Sequence, residues 1–255
     1  MKKGLVSIVT PMYNGAALVQ ETINSVRSQT YQNWEMIIID DCSPDNGKGK
    51  AIVNQSSATD PRIKLISLSE NRGSASARNK GIKDASGEYI AFLDADDLWN
   101  TEFLKKQLQF MAEKDASIVF SSYKRISDDG QSEVFCPFIV PKKVNYKIIL
   151  KSLPIFPSTA VMNIGKTGKH FFNESMGSLR DDYVYWLNLL KNHVDFAYGN
   201  QEVLASYRLR QDSVTANKLK VIQPHWHVLR HVEKLSFLKS SYYLGWWMWI
   251  SFRKY

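Results

Sequence analysis

The sequence predicts an α/β fold built on a parallel sheet, and three observations carry that prediction. Short apolar runs alternate with segments of helical period over residues 1–100. Successive runs end in polar, turn-forming residues: Tyr13 and Asn14, Asp40 and Asp41, Asp94 to Asp97. Hydrophobic residues make up 44% of the 255, enough for one large domain with or without an appendage.

Leu5-Val6-Ser7-Ile8-Val9-Thr10 reads as the first strand, ended by Pro11, and Met12-Tyr13-Asn14-Gly15 turns the chain. Val19, Ile23 and Val26 then recur at helical spacing. Glu35 to Ile39 is a second strand, Ser43-Pro44-Asp45-Asn46-Gly47 a turn, and Lys50 to Ser57 a weaker helix. Ile63 to Ile66 is a third strand. Asn71-Arg72-Gly73 opens a helix of small residues from Ser74 to Ala85, and Tyr89 to Leu93 reads as a buried strand. Thr101 stands where it could cap a helix bearing Leu104, Leu108 and Met111. Ser117 to Tyr123 is a fifth strand, and Ser127-Asp128-Asp129-Gly130 a turn. Residues 131–177, broken by Pro137, Pro141, Pro154 and Pro157, read as loops and short strands. Arg180-Asp181-Asp182 opens a helix carrying Val184, Leu187 and Leu190, and Glu202 to Tyr207 is a strand. Val221, His225, Val228, Val232 and Leu235 fall at spacings of four and three, an amphipathic helix.

Asp94, Asp96 and Asp97 crowd three carboxylates into four residues at a strand end. Like charges this close repel, so the cluster belongs at the rim of the sheet, where it would welcome a cation. In an extended backbone Asp94 and Asp96 share a face, with Cα atoms roughly 6–7 Å apart. Mg²⁺ is held by one or two carboxylates, with substrate phosphates and water completing its shell. A solvated acidic turn is the alternative reading. Ligands of open α/β sheets bind at the carboxyl ends of strands, so three strand ends are expected to converge on one crevice. Neither a Gly-x-Gly-x-x-Gly fingerprint nor a Gly-x-x-x-x-Gly-Lys-Ser/Thr loop follows the first strand.

The formal net charge is +8, and residues 216–255 hold seven Lys or Arg against Glu233 alone. The basic character belongs to the tail, which argues against a nucleic-acid partner for the whole chain and for an anionic contact through the C-terminus. Four of the seven Trp residues also lie there. Two readings stand for that segment: a peripheral membrane anchor, or an aromatic plug on the domain or on a second subunit of a homo-oligomer. His225, His227 and His231 read as packing and surface residues rather than a metal site. Cys42 and Cys136 imply no disulfide framework and a reducing compartment. Met1-Lys2-Lys3 leads straight into a strand-like run rather than a signal-peptide core, and no apolar run is long enough to span a membrane.

With these pieces in order the chain resembles the family 2 glycosyltransferases of the GT-A fold. The matching stretches are Ser7-Ile8-Val9-Thr10-Pro11-Met12-Tyr13-Asn14, Ile38-Ile39-Asp40-Asp41-Cys42-Ser43-Pro44-Asp45, Asn71-x-Gly73-x-x-x-Ala77-Arg78-Asn79-x-Gly81, Phe92-Leu93-Asp94-Ala95-Asp96-Asp97, and Asp181-Asp182 opening a Trp-containing helix. The resemblance is strongest to bacterial surface-polysaccharide transferases of teichuronic-acid and O-antigen type. It implies a Rossmann-like, mostly parallel sheet over residues 1–215, with a nucleotide-binding half at 1–100, an acceptor half at 101–215 and a helical tail at 216–255. It implies inverting transfer of one sugar from a nucleotide diphosphate donor, a UDP-sugar, to a hydroxyl of a glycan or polyprenyl-linked acceptor. The implied place is cytoplasmic, peripheral on the inner face of the cell membrane. Asp96 and Asp94 match the ligands of a Mg²⁺ or Mn²⁺ ion in its Asp-x-Asp motif, and Asp97 a helix cap or an orienting group. Pro11, Tyr13, Asn14 and Asp41 match nucleotide-binding residues, with Asp40 structural. Arg78, Asp94 and Ala95 match donor contacts. Asp182 matches the catalytic base, with Asp181 standing where the family has Glu; a helix N-cap is the competing role, assigned to Asp181. Tyr207-Arg208-Leu209-Arg210 resembles a Tyr-Arg-x-His run, Arg210 replacing His as a phosphate contact. The Gln-x-x-Arg-Trp motif of processive synthases is absent. A sugar nucleotidyltransferase, or a non-catalytic membrane- or nucleic-acid-binding protein, is the rival reading.

Overall fold

The computed structural model describes residues 1–176, 180–210 and 218–253. Among them, β1 (Lys2–Met12), β2 (Trp34–Asp40), β3 (Ile63–Ser67) and β4 (Gly87–Phe92) lie side by side in the order β3-β2-β1-β4, all parallel. β5 (Leu98–Trp99), β6 (Ile118–Ile126), β7 (Glu133–Phe138), β8 (Lys143–Val144), β9 (Ala160–Asn163) and β10 (Ala197–Arg208) complete one mixed sheet. β9 runs antiparallel between β4 and β6, and β10 lies parallel to β6. The helices are α1 (Val19–Arg27), α2 (Lys48–Thr59), α3 (Ser74–Asp84), α4 (Phe103–Glu113), the single turns α5 (Tyr146–Ile149) and α6 (Ile164–Thr167), α7 (Asp181–Asn192), α8 (Lys218–His227) and α9 (Phe237–Arg253).

The strand period of two puts alternate residues on opposite faces, and each face has its own core. Val6, Ile8, Met36 and Ile38 meet Val19, Ile23 and Val26 of α1, Val53 of α2 and Leu104 of α4. Val9, Ile37 and Ile39 meet Ala77 and Ile82 of α3, and the same core takes in Trp186, Leu187 and Leu190 of α7 and Val228 and Leu229 of the tail. The helical spacing read from the sequence thus finds its buried stripe in α1, α4 and α7.

Several expectations change. Pro11 does not end β1; it sits within the strand opposite Ile39. Its missing N–H is harmless there. Val9 turns its carbonyl to the β4 side, so Pro11 faces that side too, and pairing with β4 stops at Val9 opposite Phe92. Thr101 caps nothing: Glu102 holds the cap position of α4, without a side-chain bond. The segment read as loops and short strands does supply the short strands β7, β8 and β9, and β9 is fully buried in the middle of the sheet. The amphipathic helix expected from Val221 to Leu235 is present to Val232, with Val221, His225 and Val228 buried, but it is not regular. Pro224 lies inside α8, a π-type turn follows at Val228–Val232, and α9 starts afresh at Phe237. The expected boundary at residues 215 and 216 lies outside the described residues, as do Asp212 to Thr215 and the last two residues. Among the described residues no helix is long and apolar enough to cross a membrane.

Candidate active site

The carboxyl ends of β2, β1 and β4 lie adjacent, and they bring the sequence-predicted residues together. At the end of β2, the buried Asp41 accepts the backbone N–H of Arg72 at 2.9 Å and of Gly73 at 2.8 Å. This fixes the entry to α3, where Gly73 takes a positive φ of 85°. Asp40 is buried beneath it and pairs with Lys50 at 3.3 Å, a structural contact. At the end of β1, the Asn14 N–H donates to Ser43 Oγ at 2.9 Å, and the Tyr13 ring stands half out in solvent.

The acidic cluster after β4 is a turn rather than an extended strand. β4 ends at Phe92, and the Asp97 N–H donates back to the Asp94 carbonyl at 3.1 Å. The four residues then diverge in role. Ala95 is buried, its carbonyl taken by Thr22 Oγ1 at 2.9 Å. Asp97 is buried and caps no helix: it accepts Ser158 Oγ at 2.5 Å and the Arg208 N–H at 3.1 Å. Ser158 Oγ in turn accepts the Asp94 N–H at 3.1 Å, so Asp97 orients the turn. Burial, reinforced by Asp96 and Asp94, pushes the Asp97 carboxyl well above the usual carboxylate range. Asp94 and Asp96 point their carboxylates to the partly open side.

Arg78 ties the cluster to the start of α7. Its buried guanidinium donates to Asp94 Oδ1 at 2.7 Å and to Asp181 Oδ2 at 3.0 Å. Burial alone would loosen its proton; Asp94 and Asp181 outweigh that and raise its pKa further. Ser74 Oγ also donates to Asp181 Oδ2, at 2.8 Å. Asp181 is therefore spent on α3, not on capping α7; the cap position belongs to Arg180, at a left-handed φ of 69°. The neighbouring Asp182 is only half-buried and makes no ion pair with Arg78. Burial raises its carboxyl to about 6, with Asp181 adding to the effect.

Two arginines mark the end of β10: Arg208 is its last residue and Arg210 follows it. Arg208 is fully buried and structural, donating to the carbonyls of Asp96 at 3.0 Å and Asp128 at 2.7 Å and to Glu21 at 2.7 Å. Arg210, partly exposed, reaches Asp96 at 3.6 Å. Ser158, Arg208, Ser74 and Arg180 are the site residues that sequence reasoning missed. Only the Tyr207-Arg208-Leu209-Arg210 run could have pointed to one of them.

Among the described residues no group of three or more His, Cys, Asp or Glu is arranged to hold a metal ion. Asp94 and Asp96, both partly open, are the two carboxylates that could hold one. Burial and the charge of Asp94 raise the Asp96 carboxyl, which a divalent cation would reverse. Two carboxylates suffice where phosphates supply the other oxygens.

A model of glycosyl transferase family 2 matches residues 7–186 of the chain. A Bacillus subtilis (strain 168) protein named as a teichuronic acid biosynthesis glycosyltransferase, TuaG, is 39% identical over 94% of this chain and 93% of its own length. The Escherichia coli UDP-Glc:alpha-D-GlcNAc-diphosphoundecaprenol beta-1,3-glucosyltransferase WfgD is 35% identical over 88% of this chain and 85% of its own. In fold, the chain is similar to Staphylococcus aureus TarS 1-349 in complex with UDP-GlcNAc, with a TM-score of 0.68 at 19% identity over 95% of this chain and 71% of that one. The mannosyltransferase PcManGT of Pyrobaculum calidifontis, in complex with GDP-Man and Mn²⁺, superposes with a TM-score of 0.64 at 19% identity over 94% of this chain and 69% of that one.

Proposed function

The chain belongs to glycosyl transferase family 2, and from that membership we propose that it transfers one sugar from a UDP-sugar to a hydroxyl of a lipid-linked glycan in surface-polysaccharide synthesis. Arg78 is the observation that supports the site: one buried cation joins Asp94 after β4 to Asp181 at the start of α7. Donor and acceptor chemistry can meet there.

Tyr13 offers an exposed ring face for the nucleotide base, flanked by Pro11 and Asn14. Asp41 keeps lone pairs for a base N–H, because each oxygen accepts only one backbone bond. Asp94 and Asp96 would hold Mg²⁺ or Mn²⁺. Bound there, the ion neutralises the departing diphosphate as a Lewis acid. Ala95 lies between them, beside the donor sugar. Arg210 is exposed enough to turn from Asp96 to a phosphate.

Asp182 is the base. It takes the proton of the acceptor hydroxyl as that oxygen bonds to the anomeric carbon from the face opposite the diphosphate. The bond from that carbon to the diphosphate oxygen breaks, and the configuration inverts. Asp181 keeps α7 in register with Arg78 and Ser74. The acceptor's lipid places this reaction at a membrane, on the inner face where nucleotide sugars are held.

Thermal melting with UDP tests the donor half. UDP with Mn²⁺ should raise the melting temperature of the wild type, UDP without metal should do so weakly, and Asp96→Ala should lose the metal-dependent part. No response to UDP in the presence of metal would overturn the reading.

A further inference from the structure

α9 has two faces with different surroundings. Trp247 and Ser240 are buried, and Tyr243 and Leu244 pack on the core. Leu238, Tyr242 and Trp246 are 80%, 52% and 39% exposed, and Phe237 beside them is 64% exposed. Leu238, Tyr242 and Trp246 are spaced four apart, so they stand in one row along the helix. Scattered exposed apolar residues are ordinary; a row of large ones marks a contact surface.

Cations border that row. The Lys151 ammonium lies 5.7 Å from the Tyr242 ring and 5.1 Å from the Trp246 ring. Lys147 and Lys239 line the groove of about 470 Å³ between α9 and α5, with Leu150 and Leu238 on its walls. The acid nearby, Glu233, adds no open negative charge: it is buried, paired with Lys191 at 2.8 Å and hydrogen-bonded by the Tyr146 hydroxyl at 2.5 Å.

We propose that this face of α9, with the edge of α5, is the surface by which the protein lies on an anionic lipid bilayer, α9 in the plane of the interface. A helix with one apolar face and basic flanks lies in that plane, rings at headgroup level and lysines toward anionic headgroups. At 17 residues α9 is about 25 Å long, enough for a line of contact. A second copy docking on the same row would bring Lys147, Lys151 and Lys239 of both chains together, and like charges oppose that. An anionic partner has no such conflict.

The opposite face of α9 fixes its orientation. Trp247 stacks on His225 at 4.6 Å, His225 stacks on Tyr183 of α7 at 4.8 Å, and the Arg180 guanidinium lies 4.7 Å over the Trp247 ring. The bilayer-facing helix is thus seated on the start of the helix that carries Asp182. The surface is built by α9 and the edge of α5; its purpose, delivering a membrane-held acceptor to that base, rests on the proposed lipid-linked acceptor.

Flotation of the full-length protein with phosphatidylcholine vesicles, with and without phosphatidylglycerol, tests this. The wild type should float with the anionic vesicles and be released as salt rises. The triple variant Leu238→Ser, Tyr242→Ser, Trp246→Ser, and separately Lys147→Glu with Lys151→Glu, should bind about tenfold more weakly or worse. Both should keep the wild-type melting temperature and UDP-sugar hydrolysis. A wild type that floats with neither vesicle, a folded triple variant that floats like the wild type, or a wild-type dimer that the triple variant converts to monomer would each overturn the proposal. Flotation without any UDP-sugar hydrolysis by the wild type would sink the catalytic reading and leave the membrane surface standing.

Discussion

Asp182 is largely ionised at neutral pH, yet its pKa of about 6 keeps it more basic than an ordinary carboxylate. The base works in its ionised form. With metal and donor saturating, kcat/KM for the acceptor should therefore rise as the pH climbs through about 6 and level off above it. A profile that stays flat across that range would assign the proton elsewhere. Asp182→Asn preserves size and removes the base, so transfer should fall by about 10³-fold while UDP still stabilises the protein; near-normal turnover would point to Asp181. At this scale the acids were legible and their wiring was not. Asp94, Asp96, Asp181 and Asp182 stand out as clustered carboxylates. That Arg78 would bond both Asp94 and Asp181, 16 and 103 residues away, is written in no local spacing. Ser158 is hidden for the same reason: its partners are Asp94 and Asp97, some sixty residues earlier, in contact only once β4 and the 3-10 turn Pro157–Thr159 are neighbours.

Among the elements, α7 shows what a polarity pattern omits. Val184, Leu187 and Leu190 gave its stripe, but Tyr183, Tyr185, Trp186 and Leu189 are buried as well, because sheet and tail enclose it from both sides. An apolar character all round is the sign of such a helix, and the sequence carries it. β9 was expected only as one of several short strands, without a position, because four residues hold too little periodicity to place it. The contact between α7 and the tail makes its own prediction. His225 lies between Tyr183 and Trp247 with neither ring nitrogen hydrogen-bonded. Burial, aided by Arg180, lowers its pKa to about 2. Between that value and the ordinary one near 6.5, the unfolded chain binds a proton that the folded chain refuses. The stability tied to His225 is therefore whole above about pH 6.5 and declines by about 1.4 kcal/mol per pH unit below it. Asp182 titrates in the opposite sense, so the comparison must be with His225→Phe, which leaves Asp182 in place. In urea melts near pH 7 and near pH 5, the wild type should lose ground to His225→Phe as the pH falls; a constant gap would mean that His225 is protonated in the fold.

For the molecule as a whole, the tail is part of the core. Val221, His225, Val228, Leu229 and Trp247 are buried, and each large apolar side chain uncovered costs about 1.5–3 kcal/mol. Together they rival the roughly 5–15 kcal/mol margin of an ordinary domain. Deleting residues 216–255 should accordingly abolish cooperative melting, read by circular dichroism; a sharp transition at the wild-type temperature would make the tail a dispensable appendage. One face of α9 packs on the domain, as the plug reading expects, while the opposite face is exposed and carries the proposed membrane contact. In the parallel half, β2 and β3 were readable to within one residue and β1 and β4 to within two or three, because each is an apolar run bounded by turn-forming residues. The ion triad of Arg78, Asp94 and Asp181 has one more consequence, for anyone recombining such enzymes. A swap that brings a foreign partner for residues 1–100 must also bring a carboxylate to meet this arginine. Without it, the buried guanidinium keeps Asp94 as its one carboxylate partner and loses Asp181, which should lower the hybrid's stability. Residues 1–100 and the start of α7 are thus coupled through one guanidinium.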